Sequence, residues 1–377
     1  MYSIDQLLAF MKQNDASDLY LSVERAPSFK INGSVRPAGK QALSNEVMEQ
    51  LTRKVLNEQQ WNELVSKKEL NLAMHYPESG RFRFNFYFQK GTLAAVVRKI
   101  ETNIKTLDQL ELPQVLKDVS MTKRGLVLVV GATGSGKSTT LAAMINHRNE
   151  HEAGHIMTIE DPVEFVHEHK KCVVSQREVG VDTDSFKNAL KNALRQAPTV
   201  ILVGEIRDEE TMEHALNFAE TGHLCLATLH SNNANQAIER VINFFPPERH
   251  RQIYLQLSLN MKAIISQRLL KTAQGGRAAA IEILLGSSRV RDLMKKGEVD
   301  AIKEAMMNGV TEGMQTFDQA LFDLFMAKRI GLKEALENAD SVTDLKLKIK
   351  LAQAASGEND PGETIDFAAE GEGLALS

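Results

Sequence analysis

Nine consecutive residues, Gly131-Ala132-Thr133-Gly134-Ser135-Gly136-Lys137-Ser138-Thr139, carry the most specific chemistry in the chain. The glycines allow backbone N–H groups to converge on phosphate oxygens. Lys137 can reach the β- and γ-phosphates of a nucleotide, and the Ser138 hydroxyl can ligate Mg²⁺. Such a pattern has meaning only between a strand and a helix. The apolar run at 126–130 precedes it and the helix-forming run TTLAAMINH follows, so both are present.

Carboxylates recur at the places where such a site would need them. Glu160, Asp161 and Glu164 follow the apolar run at 156–159, and Glu205 follows the run at 200–203. Positions beyond the C-terminal ends of strands are where open α/β sheets collect ligands, and a carboxylate there can hold Mg²⁺ or its water. Taken singly, each is an ordinary surface acid, but their recurrence after successive strands favours one shared site. His223 and His230 flank the run at 224–228, so both are candidates to face the nucleotide, sensing its γ-phosphate or a neighbouring subunit, set against the plainer reading of packing or hydrogen-bonding residues. His151-Glu-Ala-Gly-His155 matches the HExxH zinc pattern, yet Gly154 stands where the helix that pattern requires would have to continue. Phosphoryl transfer also asks for cations beyond Lys137. Arg81, Arg83 and Arg98 are the candidates, set against the plainer reading of solvated strand arginines.

The elements that position these residues divide the chain into parts. In RFRFNFYFQ, Phe82, Phe84, Phe86 and Phe88 alternate with Arg81, Arg83, Asn85 and Tyr87, so one strand face is aromatic and the other carries the arginines. Residues 1–105 read as an N-terminal α+β domain with an amphipathic first helix, a hairpin turn at Asn32-Gly33 and a helix over 44–64. A linker at 106–120 is broken at Pro113. From 121 to 355, apolar strands at 126–130, 156–159, 200–203 and 224–228 alternate with helical patterns, the signature of a largely parallel sheet in an α/β domain, and the stretch from 247 to 350 reads as mostly helical. Within it, Phe317, Leu321, Leu324 and Phe325 share a helix face. Residues 356–377 read as an acidic, disordered tail.

Composition narrows the functional classes. The 377 residues carry Lys+Arg 45 against Asp+Glu 49, a formal charge of -4, so no global basic field recruits nucleic acid or anionic lipid. No apolar run approaches the roughly 20 residues needed to span a bilayer, so membrane contact is expected only through partners. The first residues lack the basic n-region of a secretory signal, and two distant cysteines, Cys172 and Cys225, point to a reduced, cytoplasmic compartment.

GATGSGKSTTLAAM, TIEDPVEFVHEHKKCVVSQREVG, ILVGEIRDEETMEHALNFAETGH, ATLHSNNA and GMQTFDQAL make the chain, from about residue 17 to 345, similar to the type IV pilus retraction ATPases of the PilT/PilU group within the secretion-superfamily ATPases. The resemblance implies a PAS-like N-terminal domain, a RecA-like P-loop ATPase domain with a helical C-terminal region, and a homohexamer holding ATP and Mg²⁺ at its subunit boundaries. It implies that Lys137 and Ser138 are the Walker A residues and Glu205 the Walker B acid. Glu160 and Glu164 then belong to an acidic box with Glu164 as the catalytic glutamate, and His223 and His230 form a His box. Arg83 and Arg98 resemble N-domain cations that engage the nucleotide of a neighbouring subunit. Ala197-Pro198-Thr199 stands where PilT-like members carry an acidic-Pro-acidic run, and the stretch from Ser288 to Met294 matches their helix motif only in part, which brings the chain nearer to the PilU branch. The partners so implied are a PilT-like retraction ATPase and an inner-membrane pilus platform protein, with the ring at the cytoplasmic base of the pilus and no nucleic acid. The alternatives are a nucleotide-binding scaffold with little hydrolysis of its own and a RecA-like nucleic-acid translocase, the latter opposed by the slightly acidic chain.

Overall fold

The computed structural model describes residues 2–31 and 33–356. Asn32 of the expected turn and the acidic stretch from 357 to 377 lie outside the described residues.

The chain opens with α1 (Ile4–Gln13), whose Ser3 side chain caps the first turn and whose Ile4, Leu7, Leu8 and Met11 face inward. Strands β1 (Asp18–Ser22), β2 (Ser28–Ile31) and β3 (Ser34–Pro37) are followed by α2 (Asn45–Val55) and α3 (Glu58–Lys67). Strands β4 (Glu69–Tyr76), β5 (Gly80–Gln89) and β6 (Thr92–Ile100) complete a six-stranded antiparallel sheet in the order β3-β2-β1-β6-β5-β4. The expected single helix over 44–64 is two helices. Leu56 is extended and Asn57 starts a new cap, its side chain accepting from the Gln60 N–H at 2.8 Å. On β5, Phe82, Phe84 and Phe86 are buried in the core shared with α1 and α2, and Arg81 and Arg83 occupy the opposite face.

After α4 (Val115–Ser120), β7 (Gly125–Val130) leads into α5 (Lys137–His151), β8 (Gly154–Glu160), β9 (Cys172–Glu178) and α6 (Phe186–Ala193). Then come β10 (Val200–Val203), α7 (Glu209–Glu220), β11 (Leu224–Leu229), α8 (Ala234–Asn243) and α9 (His250–Asn260). A hairpin of β12 (Met261–Lys271) and β13 (Arg277–Leu285) precedes the helices α10 (Ser288–Lys296), α11 (Ile302–Asn308), α12 (Phe317–Met326), α13 (Leu332–Glu337) and α14 (Val342–Ser356). The seven-stranded sheet has the order β13-β12-β7-β11-β10-β8-β9, parallel throughout except for β13 at its edge. The strands are almost wholly apolar because helices cover both faces, with α4 and α5 on one and α6 to α10 on the other.

The region from 247 to 350 is helical as expected except for this hairpin, which its sequence does not announce. ISQRLLK interrupts its apolar residues with Ser266, Gln267 and Arg268, and RAAAIEILL is an alanine-rich apolar run that fits a helix equally well; β12 becomes a strand by long-range pairing with β7, and β13 by pairing with β12. Phe317 and Leu321 of α12 are fully buried, against Leu270 and Ala280 of the hairpin, and Leu324 and Phe325 are partly buried beside them. Among the described residues no helix is long and apolar enough to cross a membrane.

The two sheets meet directly behind the acidic segment. The Glu101 N–H, just past β6, donates to the Glu164 carbonyl at 3.3 Å, and the Val166 N–H donates back to the Glu101 carbonyl at 3.1 Å. Arg83 Nε on β5 lies 3.9 Å from Glu178 Oε1 at the end of β9, where the Glu178 carboxylate is buried and also accepts from the Val163 N–H.

Candidate nucleotide-binding site

Parallel pairing brings four strand ends to one edge. Val130 is level with Leu229, and Val203 is level with both Ala227 and Ile159. The residues that follow or close these strands, Gly131, His230, Gly204-Glu205 and Glu160, therefore emerge side by side although they lie far apart in sequence. One cleft at that edge is lined by Lys137, Ser138 and Thr139, by Glu160, Asp161 and Glu164, and by Glu205 and His230. Thr133, Gly134 and Gly136 line it from the loop.

The loop before α5 is shaped for close backbone approach. Gly136 at φ +90° is the N-cap of α5, and a Cβ there would lie 2.7 Å from Gln267 Nε2. A Cβ on Gly131 would collide with the Ser135 hydroxyl and sit 2.6 Å from the Gln267 carbonyl. The first N–H groups of α5, free of intrahelical partners, and the helix dipole favour an anion at this point, so the cradle fits a polyphosphate. Lys137 is buried beneath the loop, its Nζ donating to the Gly131 and Ala132 carbonyls at 2.8 and 3.0 Å. Burial lowers its pKa, against the opposing pull of Glu205 and Glu164.

The carboxylates are in different states. Glu160 is half-buried at the end of β8, where burial pushes its carboxyl up to about 7, and Gln176 Nε2 donates to it at 3.3 Å. Glu164 is exposed at the mouth of the cleft. Glu205 is held from two sides: Arg207 Nε donates to Oε2 at 2.6 Å, and His230 Nε2 lies 3.0 Å from Oε1. Arg207 also reaches Asp161 at 3.6 Å, which ties the segments following β8 and β10 together. The Ser138 hydroxyl and the Glu205 carboxylate are hard oxygen donors, the kind that suits Mg²⁺ alongside phosphate and water.

His223 does not line the cleft of its own chain. It lies at the start of β11, its carbonyl accepting from the Gly125 N–H at the start of β7 and its ring against Thr221 and the Phe218 carbonyl. Flanking a strand is not enough: in a parallel sheet only the C-terminal end meets the ligand, and the six residues of β11 separate His223 from that edge. His230 is at the right end and His223 is not. Arg83 and Arg98 also do not line the cleft of their own chain. They are cross-strand partners on β5 and β6, and Arg98 Nε donates to the buried Asp18 at 2.7 Å. Glu164 is near enough to add to the rise in the Arg98 pKa, whose first cause is the Asp18 hydrogen bond. In the HExxH match, His151 ends α5 and bonds the His147 carbonyl, whereas His155 lies in β8 between the Gln196 carbonyl and Ser175.

Several residues escaped the sequence reading. Arg207 could have been found two positions past Glu205. Arg277 and Leu269, which line the cleft from the hairpin, and Gln267, whose Oε1 accepts from Thr140 at 2.7 Å, could not be placed while that hairpin was read as helix. Thr228, whose hydroxyl donates to the Gly204 carbonyl and joins the ends of β10 and β11, left no signal of its own.

Comparison with known proteins agrees with this geometry. A family model described as "Type II/IV secretion system protein" matches residues 2–321. The type IV pilus ATPase PilU of Pseudomonas aeruginosa is 51% identical over 94% of this chain and 93% of its own length. The retraction ATPase PilT of the same organism is 43% identical over 89% of this chain and 98% of its own length. A crystal structure of the pilus retraction motor PilT with bound ADP superposes with a TM-score of 0.86 at 37% identity, covering 92% of this chain and 100% of that one. The α/β architecture thus has both sequence and structural counterparts, and the chain belongs to the Type II/IV secretion system protein family, among its PilT/PilU-type ATPases.

Proposed function

We propose that this chain is a Mg²⁺-dependent ATPase motor that works as a homohexamer at the cytoplasmic base of a type IV pilus. There it would couple ATP hydrolysis to pilus retraction as the PilU-like companion of a PilT-like motor. The observation that supports this most is the single cleft holding Lys137, Ser138, Glu164, Glu205 and His230, in a chain half-identical to a PilU over nearly its full length. Lys137 and the loop N–H groups bind and orient the β- and γ-phosphates. Ser138 and Glu205, directly or through water, would hold Mg²⁺, which would supply charge neutralisation at the phosphates. Glu164, exposed and aimed into the cleft, is the group assigned to accept a proton from the attacking water. Glu160, with its carboxyl raised to about 7, is its nearest competitor for that role. Arg83 and Arg98, outside the cleft of their own chain, are assigned to the nucleotide of an adjoining subunit. Contact with the membrane would run through the platform protein.

Steady-state ATP hydrolysis by the full chain tests this reading, measured with Mg²⁺ and with chelator, with and without DNA, and with and without the partner motor. Mg²⁺-dependent turnover that is indifferent to DNA and changed by the partner supports it. Stimulation by DNA alone would favour a nucleic-acid translocase instead.

A further inference from the structure

Glu282 is a charged residue in the middle of an edge strand and only 3% exposed. Arg268, the cation whose charge reaches it, is paired with Asp340 at 2.8 Å. A buried carboxylate without its own counter-ion costs free energy unless hydrogen bonds replace its water. Those bonds are specific here. Glu282 Oε1 accepts from the Ala234 N–H at 2.7 Å and from the Ser266 hydroxyl at 2.8 Å. Ala234 is the first residue of α8, so its N–H is one that the helix cannot satisfy itself, at the end where the dipole favours negative charge. Asn233 caps the same turn locally, accepting from the Gln236 N–H at 2.9 Å. The start of α8 is thus fixed twice, once by its own cap and once from the sheet.

What hangs from that helix start is the side of the cleft formed by His230 and Glu205. His230, 3.0 Å from Glu205, stands four residues before Ala234, and Ser231 stiffens the connection by donating to the Asn233 carbonyl at 2.9 Å. Gln236, Arg240 and Asn243 of α8 wall a second cavity, bordered by Gly131, Ala132 and His230. Ser266 faces Glu282 across the hairpin, and its neighbour Gln267 bonds Thr140 of the P-loop helix. One strand pair therefore braces both the phosphate loop and the histidine loop.

We infer that Glu282 is a positioning residue for ATP turnover: it fixes the first turn of α8 to β13 and, through residues 230–233, sets His230 against Glu205. The inference rests on the reading of Glu205 and His230 as working groups of the nucleotide cleft. A residue needed only for stability would lower the melting temperature without separating turnover from binding.

The experiment uses the full-length chain, with kcat from steady-state hydrolysis, affinity from a fluorescent ATP analogue, and melting temperature for Glu282→Ala, Glu282→Asp, His230→Ala and the Glu282→Ala/His230→Ala double variant. Misplacing a group by a fraction of an ångström to an ångström can cost one to two orders of magnitude, so kcat should fall about tenfold in Glu282→Ala with affinity held within about threefold. The double variant should lose little more than His230→Ala alone, because both act through one loop. A folded Glu282→Ala with wild-type kcat, a loss confined to affinity, or full additivity with His230→Ala overturns the inference. Unchanged kcat in His230→Ala overturns it differently, by removing the reading on which it rests. If Glu282→Ala does not fold, Glu282→Asp carries the test: its carboxylate is withdrawn by one methylene, a partial loss of kcat is expected, and wild-type kcat overturns the role.

Discussion

The seven-stranded and six-stranded sheets gather functional side chains by different geometry. In the larger sheet β7, β11, β10 and β8 run parallel, so the loops that follow them all open on one edge, and Lys137, His230, Glu205 and Glu160 meet there whatever their spacing in sequence. In the smaller sheet every neighbour is antiparallel, so successive turns fall on opposite edges. There, charged groups meet only through cross-strand register, as Arg83 and Arg98 do. The first arrangement tolerates changes of loop length. The second depends on register, because a slip of β5 by one residue would turn Arg83 toward the core and Phe82 and Phe84 out of it. Edge chemistry should therefore fail residue by residue, and face chemistry should behave as a shared property of neighbouring side chains.

The largest effect is expected at the edge. Lys137→Ala removes the cation beneath the phosphate loop, and turnover should fall by about 10³-fold or more, since one preorganised donor to a developing charge is worth that order. Hydrolysis and nucleotide affinity measured together check it, and wild-type values for both would contradict the site. Because Lys137 Nζ also bonds the Gly131 and Ala132 carbonyls, some loss of affinity from loop rearrangement is expected as well.

Glu160 gives the next largest effect, and its sign can be worked out. Its carboxyl is raised from 4.5 to about 7 by burial, so between those values the folded chain holds a proton that the unfolded chain has released. Stability attributable to this group is full below pH 4.5 and is lost as pH rises through 7, by at most about 3 kcal/mol. His167, lowered to about 4 by burial, tilts the curve the other way between 4 and 6.5, so the comparison must be with Glu160→Gln. The difference between wild-type and Glu160→Gln unfolding free energies should change steadily from pH 4.5 to 7. A flat difference would mean that the Glu160 carboxyl is not desolvated in solution.

Glu164 and Glu205 differ in how they are held, and their variants should separate. Glu164→Gln should slow single-turnover hydrolysis by about 10²-fold with ATP still bound, whereas Glu205→Ala should also weaken Mg²⁺-dependent binding. Normal turnover in Glu164→Gln would move the water-activating role to Glu160.

The legibility of these groups in the sequence follows the same contrast. The P-loop and the acids after β8 and β10 could be read because each is a short segment attached to its own strand, and a parallel sheet assembles such segments without further instruction. His223 lies outside the cleft of its own chain because it precedes β11 whereas His230 follows it, a difference that flanking the same apolar run does not reveal. The β12–β13 hairpin is hidden because β12 is fixed by pairing with β7, more than a hundred residues earlier in the chain, and β13 joins the sheet only through β12. With it went Gln267, Arg277 and Glu282. On β5 the face bearing Arg81 and Arg83 was legible from strict alternation, but the Asp18 partner of Arg98 was not, since it lies on a different strand eighty residues away.

The smallest effect is expected on the smaller sheet, and it tests whether face chemistry acts between subunits. Buried Asp18 holds Arg98 through Nε alone, and the side chain is 65% exposed, so the rest of the guanidinium is available to a neighbouring nucleotide. Arg83, its cross-strand partner, carries a second positive charge beside it, so removal of either leaves a cation in place. Arg98→Ala should then cost turnover about tenfold, well below the loss for a cation acting alone. Mixing Arg98→Ala subunits with Lys137→Ala subunits provides the sharper measurement. If the arginine of one subunit serves the P-loop of the next, some boundaries in a mixed ring have both halves intact, and activity should rise above that of either variant alone. If mixed oligomers form, as light scattering and tagged co-purification can establish, and activity does not rise, the arginine serves its own chain or none. The smaller sheet would then supply no cation to a site shared between subunits, and the working groups of turnover would all lie at the edge of the larger one.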